Sequence, residues 1–288
     1  MLDLVRLRVL AAVARTGSIT AAARDLHYTQ PSVSHHIARL EKETGAALLQ
    51  RVGRGVRLTP TGELLAERAM EIIGRVDAAA AELSAHVGLS AGKVRLAGFS
   101  SAMCTLVPAA ATTLAATHPG LELGLTDTHP PEALRLLRAG RADVAVVFRY
   151  DESPSEEPGI RLHHLLDDPT YLVTPGPSGP QTLEAHRDAR WIAGCDRCRG
   201  HLLDLCAGVG FAPDIAYSTD DMVVMQSLVA AGLGVTTLPG LALRAHRGTG
   251  VEATEIPAST RRVYAATYGE PPDPPATTAL LAALRQAA

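Results

Sequence analysis

The sequence contains little lysine and few aromatic residues. Lys42 and Lys93 are the only lysines among 27 basic residues, and aromatic residues make up 3% of the 288 positions. A hydrophobic fraction of 47% is nevertheless typical of a packed globular chain rather than a disordered one. The cores must therefore be built mainly from alanine, leucine and valine, and the length predicts about two to three domains.

Long apolar runs and paired cysteines are scarce as well. The longest uncharged run, 96–121, is interrupted by Pro108 and Pro119, so it does not predict a membrane span. No secretory leader pattern is visible, and four cysteines do not suggest a disulfide scaffold. We therefore expect a soluble, cytoplasmic protein without a membrane partner.

The motifs of common enzymes and cofactor sites are missing too. The chain contains no nucleophile elbow, no Walker loop, no HExxH motif and no dinucleotide fingerprint. Gly232 and Gly234 lie between a predicted helix and a predicted strand, which is the wrong order for cradling phosphate. We expect no enzymatic activity, no catalytic residue, no metal and no resident cofactor.

Positive charge is concentrated near the N-terminus. The formal net charge is −3, but residues 31–60 hold five basic residues and only two acidic ones. A local basic patch on a mildly acidic protein is typical of a DNA-binding module attached to another domain.

The first 45 residues predict three short helices. Apolar positions follow helical spacing from Leu4 to Val13, and Gly17 ends that helix. Ser18 is a suitable N-cap for a second helix, Ile19 to Leu26, and residues 27–28 form a turn. Thr29 then caps a third helix that has a proline in its first turn.

The third helix has one apolar face and one polar face. Val33, Ile37 and Leu40 are spaced for burial, which leaves His35 and Arg39 near the opposite face with Pro31. Gln30 lies at the N-terminal tip, where a recognition helix touches bases, and Gln side chains can bind adenine through two hydrogen bonds. The alternative is a small helical bundle without a DNA partner.

A predicted hairpin follows this helix. Two short strands, 48–49 and 56–58, flank Gly53, Arg54 and Gly55. An arginine at a glycine-flanked tip suits a minor-groove or phosphate contact.

Residues 2–73 resemble the winged helix-turn-helix of LysR-type transcriptional regulators. The matching residues are Gly17–Ala23, Leu26, Gln30–Ser34, Ile37, Leu40, Glu41, Gly45, Leu48, Arg51, Leu58–Pro60 and Gly62. Two departures are Leu49, where the family usually has Phe, and His35, where Arg is common. Together with the pattern above, the resemblance implies a set of DNA-binding residues: Thr29, Gln30, Pro31, Ser32, Ser34, His35, Arg39, Arg51 and Arg54.

A long linker helix is predicted from Thr61 to about His86, followed by a hinge at 87–92. Its apolar residues alternate spacings of four and three, as in a coiled-coil seam. These are Leu65, Ala69, Ile72, Val76, Ala79 and Leu83. The seam could pack on its own domain, but its position beside a DNA-binding unit favours dimerisation. In the LysR-type family this helix pairs two subunits, and two dimers commonly form a tetramer.

The remainder of the chain alternates strand and helix patterns and predicts a parallel α/β sheet in two lobes. Strands are predicted at 93–97, 121–125 and 143–148, and further strands near 172, 192, 215 and 235. This half resembles the LysR-type effector domain, which is built like periplasmic solute-binding proteins. The matching segments are 106–108, 119–123, Leu137, Gly140, 143–146, 210–213 and 228–239.

The expected fold class is therefore an N-terminal all-α winged helix-turn-helix plus linker helix, then an α/β two-lobed periplasmic-binding-protein-like effector domain. We expect the DNA-binding domain at 1–60, the linker helix and hinge at 61–90, and the effector domain at 91–288. Within the effector domain, lobe I is expected at about 91–160 and 267–288, and lobe II at about 161–266.

Ligands in such sheets bind beyond the carboxyl ends of the strands. This rule selects the candidate effector-binding residues: Ser100, Ser101, Asp127, Thr128, Phe148, Arg149, Gly194, Cys195, Ser218, Thr219 and Asp220. Each Ser or Thr could equally be an ordinary helix cap. Arg149 could pair with a carboxylate or phosphate, whereas Asp127 and Asp220 could equally favour a cationic or hydroxylated ligand.

One cluster is not explained by the resemblance: Cys195, Cys198, His201 and Cys206 lie within twelve residues. Four such ligands could hold zinc, although the spacing is unlike common zinc modules. Cys195 and Cys198 could instead be a redox pair near a helix start. In the third interpretation the thiols are structural, with Cys206 buried in the helix core and His201 exposed.

The sequence as a whole predicts a LysR-type regulator whose promoter binding is modulated by a small-molecule effector. The implied partners are double-stranded promoter DNA, the effector, further copies of the chain and RNA polymerase. The alternatives are a thiol-redox-sensing regulator using Cys195 and Cys198 and, in a different class, a cytosolic solute-binding protein or enzyme.

Overall fold

A computed structural model describes residues 2–52, 55–86, 92–150, 158–176 and 181–288. The chain divides into two compact units. The first comprises residues 1–92 with 135–143, and the second comprises residues 93–134 with 144–288. No helix of the described residues is long and apolar enough to cross a membrane.

The first unit is a winged helix-turn-helix with a long helix after it. Its elements are α1 (Leu4–Thr16), α2 (Ile19–Asp25), α3 (Gln30–Thr44), β1 (Leu49–Val52), β2 (Gly55–Leu58) and α4 (Pro60–His86). Leucine, valine and alanine side chains from α1, α2, α3 and α4 form its core. The predicted helices are confirmed, with α2 ending at Asp25 rather than Leu26.

The predicted caps explain where these helices begin and end. The Ser18 hydroxyl accepts a hydrogen bond from the Ala21 amide, and the Thr29 hydroxyl accepts one from the Ser32 amide. Gly17 ends α1 in the left-handed region at φ 63°, which glycine adopts without a steric penalty. These short-range signals set the spacing of the three helices.

The start of α4 is fixed against the wing. Thr59 donates through its hydroxyl to the Ala47 carbonyl and through its amide to the Leu48 carbonyl. A Cβ at Gly62 would come within 2.0 Å of the Leu48 oxygen, so only glycine fits at this position.

The second unit is built on one eight-stranded sheet. Its strands are β3 (Lys93–Gly98), β4 (Glu122–Asp127), β5 (Val144–Arg149), β6 (Ile160–Pro175), β7 (Arg190–Ala193), β8 (Asp214–Ser218), β9 (Val235–Pro239) and β10 (Val251–Tyr268). The helices are α5 (Ser100–Thr117), α7 (Asp196–Gly208), α8 (Met222–Ala230), α9 (Gly240–Ala245) and α10 (Pro275–Ala287). A further helix, α6 (Pro130–Arg138), begins in this unit and ends in the segment 135–143 that belongs to the first unit. The strand order is β4-β3-β5-β10-β6-β9-β7-β8.

This order defines two lobes joined by two long strands. Lobe I holds the parallel set β4, β3 and β5, and lobe II holds the parallel set β9, β7 and β8. Between them, β6 and β10 run antiparallel to each other, with β10 pairing with β5 and β6 pairing with β9. Each lobe has its own buried core, and α10 packs in the core of lobe I.

The two crossing strands correct the expected lobe boundaries. We expected lobe II to span about 161–266, but both ends of that range lie inside or beside strands that serve both lobes. The sequence pattern does not predict β10, because Pro257 and the polar residues around it resemble a loop. The structure accommodates them in an irregularity between Glu255 and Thr260, with Ala258 at φ 59°.

Candidate nucleic-acid interface and effector cleft

Helix α3 presents a polar face on the surface of the first unit. Val33, Ile37 and Leu40 are buried in its core, whereas His35 and Arg39 are exposed on the other side. This is the division that the sequence pattern predicts. An exposed helix on a helix-turn-helix is shaped to enter the major groove of DNA.

The N-terminal tip of α3 is polar and accessible. Thr29, Gln30 and Pro31 are exposed, and Ser32 and Ser34 are half-buried. The Gln30 amide donates to the Ser34 hydroxyl over 3.1 Å. This bond holds the Gln30 side chain along the helix surface while leaving its amide oxygen available to a base edge.

The wing is held to α3 by the carboxylate of Glu41, a role that the sequence pattern does not predict. Glu41 Oε1 accepts hydrogen bonds from the Leu48 and Leu49 amides, at 2.8 Å and 3.2 Å. Strand β1 then pairs antiparallel with β2, with Leu49 opposite Leu58. Arg51 is exposed on β1, and Arg54 lies outside the described residues.

An aromatic stack beside α3 was missed by the sequence analysis. The rings of Tyr28 and His36 stack with centroids 5.8 Å apart, and the His36 ring also meets the edge of His35. Tyr28 is exposed, although aromatic side chains usually avoid such positions. The available signal was the tyrosine in the turn before α3, since a turn needs no aromatic residue.

The linker helix α4 divides into two parts. Ala69 is fully buried and Leu65 packs against the core of the first unit, which corrects their expected place in a dimer contact. Further along the helix, Ile72, Val76 and Leu83 remain 40%, 42% and 65% exposed. Ala79 is exposed as well. In this second part the apolar residues of the seam are therefore open at the surface of a single chain.

In the second unit, strand ends from both lobes come together. The Thr128 amide donates to the carbonyl of Gly98 at the end of β3. In lobe II the Thr219 amide donates in the same way to the carbonyl of Ala193 at the end of β7. The loops after β4 and β8 are therefore fixed against the carboxyl ends of neighbouring strands.

A side-chain hydrogen bond joins these two loops across the lobes. His129 Nε2 lies 3.0 Å from Asp220 Oδ2, and both side chains are about half exposed. Thr128 and Asp220, two of the candidate effector residues, are therefore on facing loops of the two lobes. His129 was not predicted, although it directly follows a predicted residue.

A buried network explains why two candidate effector residues cannot line the cleft. The Arg261 guanidinium bonds to Asp168 Oδ2 at 2.8 Å and donates to the Ser101 hydroxyl at 2.9 Å. It also lies over the rings of Phe99 and Phe148, 4.8 Å and 4.5 Å from their centroids. Ser101 and Phe148 are buried against this arginine, so neither side chain is open to the surface as the strand-end rule expects.

The other candidate effector residues lie near the surface at strand or helix ends. Ser100 is half-buried at the first position of α5, and Arg149 is half-buried at the last position of β5. Gly194, Cys195 and Thr219 are half-buried, whereas Asp127, Ser218 and Asp220 are exposed.

The four residues of the cysteine cluster do not converge. Cys206 is buried in the core of lobe II, and burial raises its pKa to about 11. His201 stacks on Tyr150 with centroids 3.8 Å apart and is hydrogen bonded to Ser259, so it is not simply exposed as one interpretation expected. Among the described residues no group of three or more His, Cys, Asp or Glu could hold a metal ion. This arrangement gives no support to the zinc interpretation.

Cys195 and Cys198, by contrast, lie together at the start of α7. Their Sγ atoms are 3.2 Å apart. The hydrogen bond from Cys198 lowers the pKa of Cys195 to about 6, while burial opposes that shift. The same bond and burial raise the pKa of Cys198. These shifts favour the thiolate at Cys195 and the thiol at Cys198.

Two family models match the chain and together cover nearly all of it. Residues 4–63 match the bacterial regulatory helix-turn-helix protein, lysR family, and residues 88–288 match the LysR substrate binding domain. The chain therefore belongs to the LysR family of bacterial transcriptional regulators.

Individual relatives agree with this assignment. The chain is 30% identical to the uncharacterized HTH-type transcriptional regulator YcgK of Bacillus subtilis, over 84% of this chain and 82% of YcgK. It is 29% identical to the probable HTH-type transcriptional regulator LrrA of Synechococcus elongatus, over 100% of this chain and 98% of LrrA. Among solved structures, ArgP from Mycobacterium tuberculosis shares the fold with a TM-score of 0.71 and 23% identity, over 100% of this chain and 97% of ArgP.

Proposed function

We propose that this regulator reads promoter DNA with the exposed face of α3. Base edges in the major groove are contacted by Gln30, Pro31, Ser34 and His35. Thr29, Ser32 and Arg39 contact phosphates. Arg51 and Arg54 of the wing lie on the DNA backbone. The observation that carries this proposal is the division of α3, whose apolar residues are buried while its polar residues are exposed.

The test is a mobility-shift titration with the intergenic DNA upstream of the protein's own gene. Gln30→Ala removes a predicted base contact, which is worth about 1–3 kcal/mol, or roughly 5- to 150-fold in affinity for the preferred site. Lys42→Ala is the matched control, because Lys42 is exposed on the same helix near its other end. A folded wild-type protein that gives no specific shift would defeat the proposal.

We propose that two chains pair through the second part of α4. Ile72, Val76, Ala79 and Leu83 form the contact, and Leu65 and Ala69 support it from the core of the first unit. A dimer presents two recognition helices to a pseudo-palindromic site. Val76→Glu should convert the dimer to a monomer in sedimentation experiments, whereas Glu67→Ala on the exposed surface of the same helix should not. Association of dimers into a tetramer is measured in the same runs.

We propose that the cleft between the two lobes of the second unit binds a small polar effector. Ser100, Thr128 and Thr219 supply hydroxyl groups, and Arg149 and His129 supply cationic groups for a carboxylate or similar anion. The start of α5 has no side-chain cap, so its first amides can also face an anion. The rim of the cleft is completed by Asp127, Gly194, Cys195, Ser218 and Asp220.

Thermal unfolding with small carboxylates and their uncharged amides tests the cleft. A ligand at 100 times its dissociation constant stabilises the folded state by about 2.7 kcal/mol. The carboxylate should raise the unfolding temperature more than its amide does, and Ser100→Ala should reduce that difference. Ser227→Ala, a hydroxyl on α8 bonded within its own helix, is the control.

We propose the domain division expected from the sequence, with DNA binding in 1–60, the linker in 61–90 and effector binding in 91–288. In this assignment the protein is a regulator rather than an enzyme, and it works where promoter DNA is, in the cytoplasm, with RNA polymerase as a further partner.

A further inference from the structure

Cys195 and Cys198 are placed as one chemical unit. Cys195 is the N-cap of α7, and Cys198 lies in the first turn of that helix. Their sulfurs are 3.2 Å apart, and both residues are half-buried rather than sealed in the core. A Cβ at Gly194 would meet the Cys198 Cβ at 3.3 Å. Glycine at 194 therefore lets the Cys198 side chain pack closely against the backbone at this position.

The surroundings separate the roles of the two sulfurs. The thiol and the backbone amide of Cys198 both donate toward Cys195, and His129 adds positive charge nearby, which favours a Cys195 thiolate. Asp220 and burial oppose that effect. Cys198 is kept neutral by its bond with Cys195 and by burial. One nucleophilic sulfur therefore lies beside one thiol that can complete a disulfide.

Cys198 also contacts lobe I. The Tyr150 hydroxyl, just beyond β5, lies 3.8 Å from the Cys198 sulfur. Burial raises the pKa of Tyr150 well above its usual value, so the hydroxyl keeps its proton and can donate. The Tyr150 ring is stacked on His201 and meets the edge of Phe148. A chemical change at Cys198 would therefore act directly on the contact between Cys198 in lobe II and Tyr150 in lobe I.

We propose that a hydroperoxide oxidises Cys195 and Cys198 to a reversible disulfide, and that ring closure alters the lobe contact at Tyr150 and hence promoter binding. The DNA-binding part of this inference rests on the proposed function. The disulfide part stands on the geometry of the pair alone.

The reaction balances with one hydroperoxide per pair. The Cys195 thiolate attacks an oxygen of the hydroperoxide, the O–O bond breaks, and the departing alkoxide takes a proton from water. This leaves a sulfenic acid on Cys195. Cys198 then loses its proton, its sulfur attacks the Cys195 sulfur, and hydroxide leaves with that proton as water. The two thiols lose two electrons, and the hydroperoxide is reduced to an alcohol and water.

Ring closure requires a local movement. A disulfide has an S–S distance of about 2.05 Å, so the two sulfurs must approach by more than about 1 Å. The 3.8 Å contact from Tyr150 is already at the outer limit of a hydrogen bond to sulfur. We expect the movement of Cys198 to break that contact while leaving the stack of Tyr150 on His201 in place.

The first measurement tests the disulfide on the reduced full-length protein treated with a small excess of hydrogen peroxide. The count of free thiols should fall from four to two and return to four with dithiothreitol. Trypsin cleaves after Arg197 and Arg199, so the dipeptide 198–199 should stay linked to peptide 191–197 only in the oxidised sample. Cys195→Ser and Cys198→Ser should each abolish this link, whereas Cys104→Ser and Cys206→Ser should keep it.

Four thiols that persist after peroxide, or a linked peptide that includes Cys104 or Cys206 instead, would overturn the disulfide. A sulfenic or sulfinic acid that stays on Cys195 without a link would overturn it as well. These outcomes do not depend on DNA binding.

The second measurement tests the coupling by mobility shift with the upstream DNA. The reduced and oxidised wild-type proteins should differ by at least about fivefold in their dissociation constants, as expected for allosteric coupling. Tyr150→Phe keeps the ring and removes the hydroxyl, so the reduced variant should bind DNA as the oxidised wild type does and respond little to peroxide.

Equal affinities of reduced and oxidised wild-type protein would overturn the coupling. An undiminished peroxide response in Tyr150→Phe would overturn the proposed route through Tyr150. If the reduced, folded protein binds no specific DNA at all, the proposed function fails instead, and the thiol count still decides the disulfide.

Discussion

Two side-chain pairs join different segments of the second unit, and they differ strongly in burial. The first, Arg261–Asp168, has a distance of 2.8 Å, and its side chains are 2% and 3% exposed. The second, His129–Asp220, has a distance of 3.0 Å, and its side chains are 53% and 55% exposed. We call them the hinge pair and the rim pair. The hinge pair lies on the crossing strands, and the rim pair joins the loops after β4 and β8.

The difference indicates which part of the unit is fixed and which part can open. Arg261 is surrounded by Asp168, Ser101 and two aromatic rings, and Asp168 also accepts from the Leu241 amide. Removing one partner would leave the other charged and buried, which is costly. Water can replace either partner of the rim pair at little cost. An effector should therefore change the rim while the crossing strands remain in place.

The largest expected effect comes from breaking the hinge pair. Arg261→Met leaves Asp168 buried without its cation and should lower the free energy of unfolding by about 3–5 kcal/mol. Denaturant titration of the purified protein measures this loss. Arg244→Met, an exposed arginine on α9, should change stability by no more than about 0.5 kcal/mol. Equal losses in the two variants would mean that burial does not distinguish the hinge pair.

Removing both charges of the hinge pair sharpens the comparison. The double variant Arg261→Met, Asp168→Leu no longer buries an unpaired charge, so it should recover most of the loss and unfold within about 2 kcal/mol of the wild type. The same denaturant titration gives the value. A double variant as unstable as Arg261→Met alone would show that the lost packing and the Leu241 contact, rather than the charge, dominate.

A much smaller effect is expected at the rim pair. Asp220→Asn should change the free energy of unfolding by less than about 1 kcal/mol, and raising the salt concentration should shrink even that difference. Thermal unfolding at low and high salt measures both. A loss as large as that of Arg261→Met would contradict the assignment of the rim pair as a weak, openable contact.

The smallest effect is electrostatic and concerns Cys195. Its pKa of about 6 means that the thiolate fraction, and so the alkylation rate, rises as the pH increases through that value and levels off above about pH 7. Positive charge on His129 lowers this pKa, so His129→Gln should move the midpoint to higher pH. Iodoacetamide kinetics monitored by peptide mass give the profile. His118→Gln on the exposed end of α5 should leave the midpoint unchanged.

Short-range signals predicted the first unit well. The caps at Ser18 and Thr29 and the glycine at 17 act within three or four residues, so their positions in the sequence suffice to place α1, α2 and α3. The linker seam was less predictable. Its apolar residues recur with the same spacing whether they face a partner chain or their own domain. The spacing alone therefore could not show that Ala69 is buried within the single chain.

The cleft was predicted only in part, because its side chains are arranged by distant contacts. The strand-end rule selects Thr128 and Asp220, which lie on the loops that meet between the lobes. It could not show that Ser101 and Phe148 are buried, because Arg261, which they contact, is 160 residues further along the chain from Ser101. The strand that carries Arg261 has a loop-like sequence around Pro257. The hydrophobic pattern of the sequence therefore does not predict that Arg261 contacts Ser101 and Phe148.

The position of α10 has a consequence for synthesis on the ribosome. Lobe I is the first part of the second unit to be translated, yet α10 supplies Leu280, Leu281 and Leu284 to its core. Until residues 275–287 have left the exit tunnel, the apolar face of α5 lacks this cover. Lobe II can fold in the meantime, so the lobe that is made first should be the last to reach its native packing, and it is the one exposed to chaperones and proteases during translation.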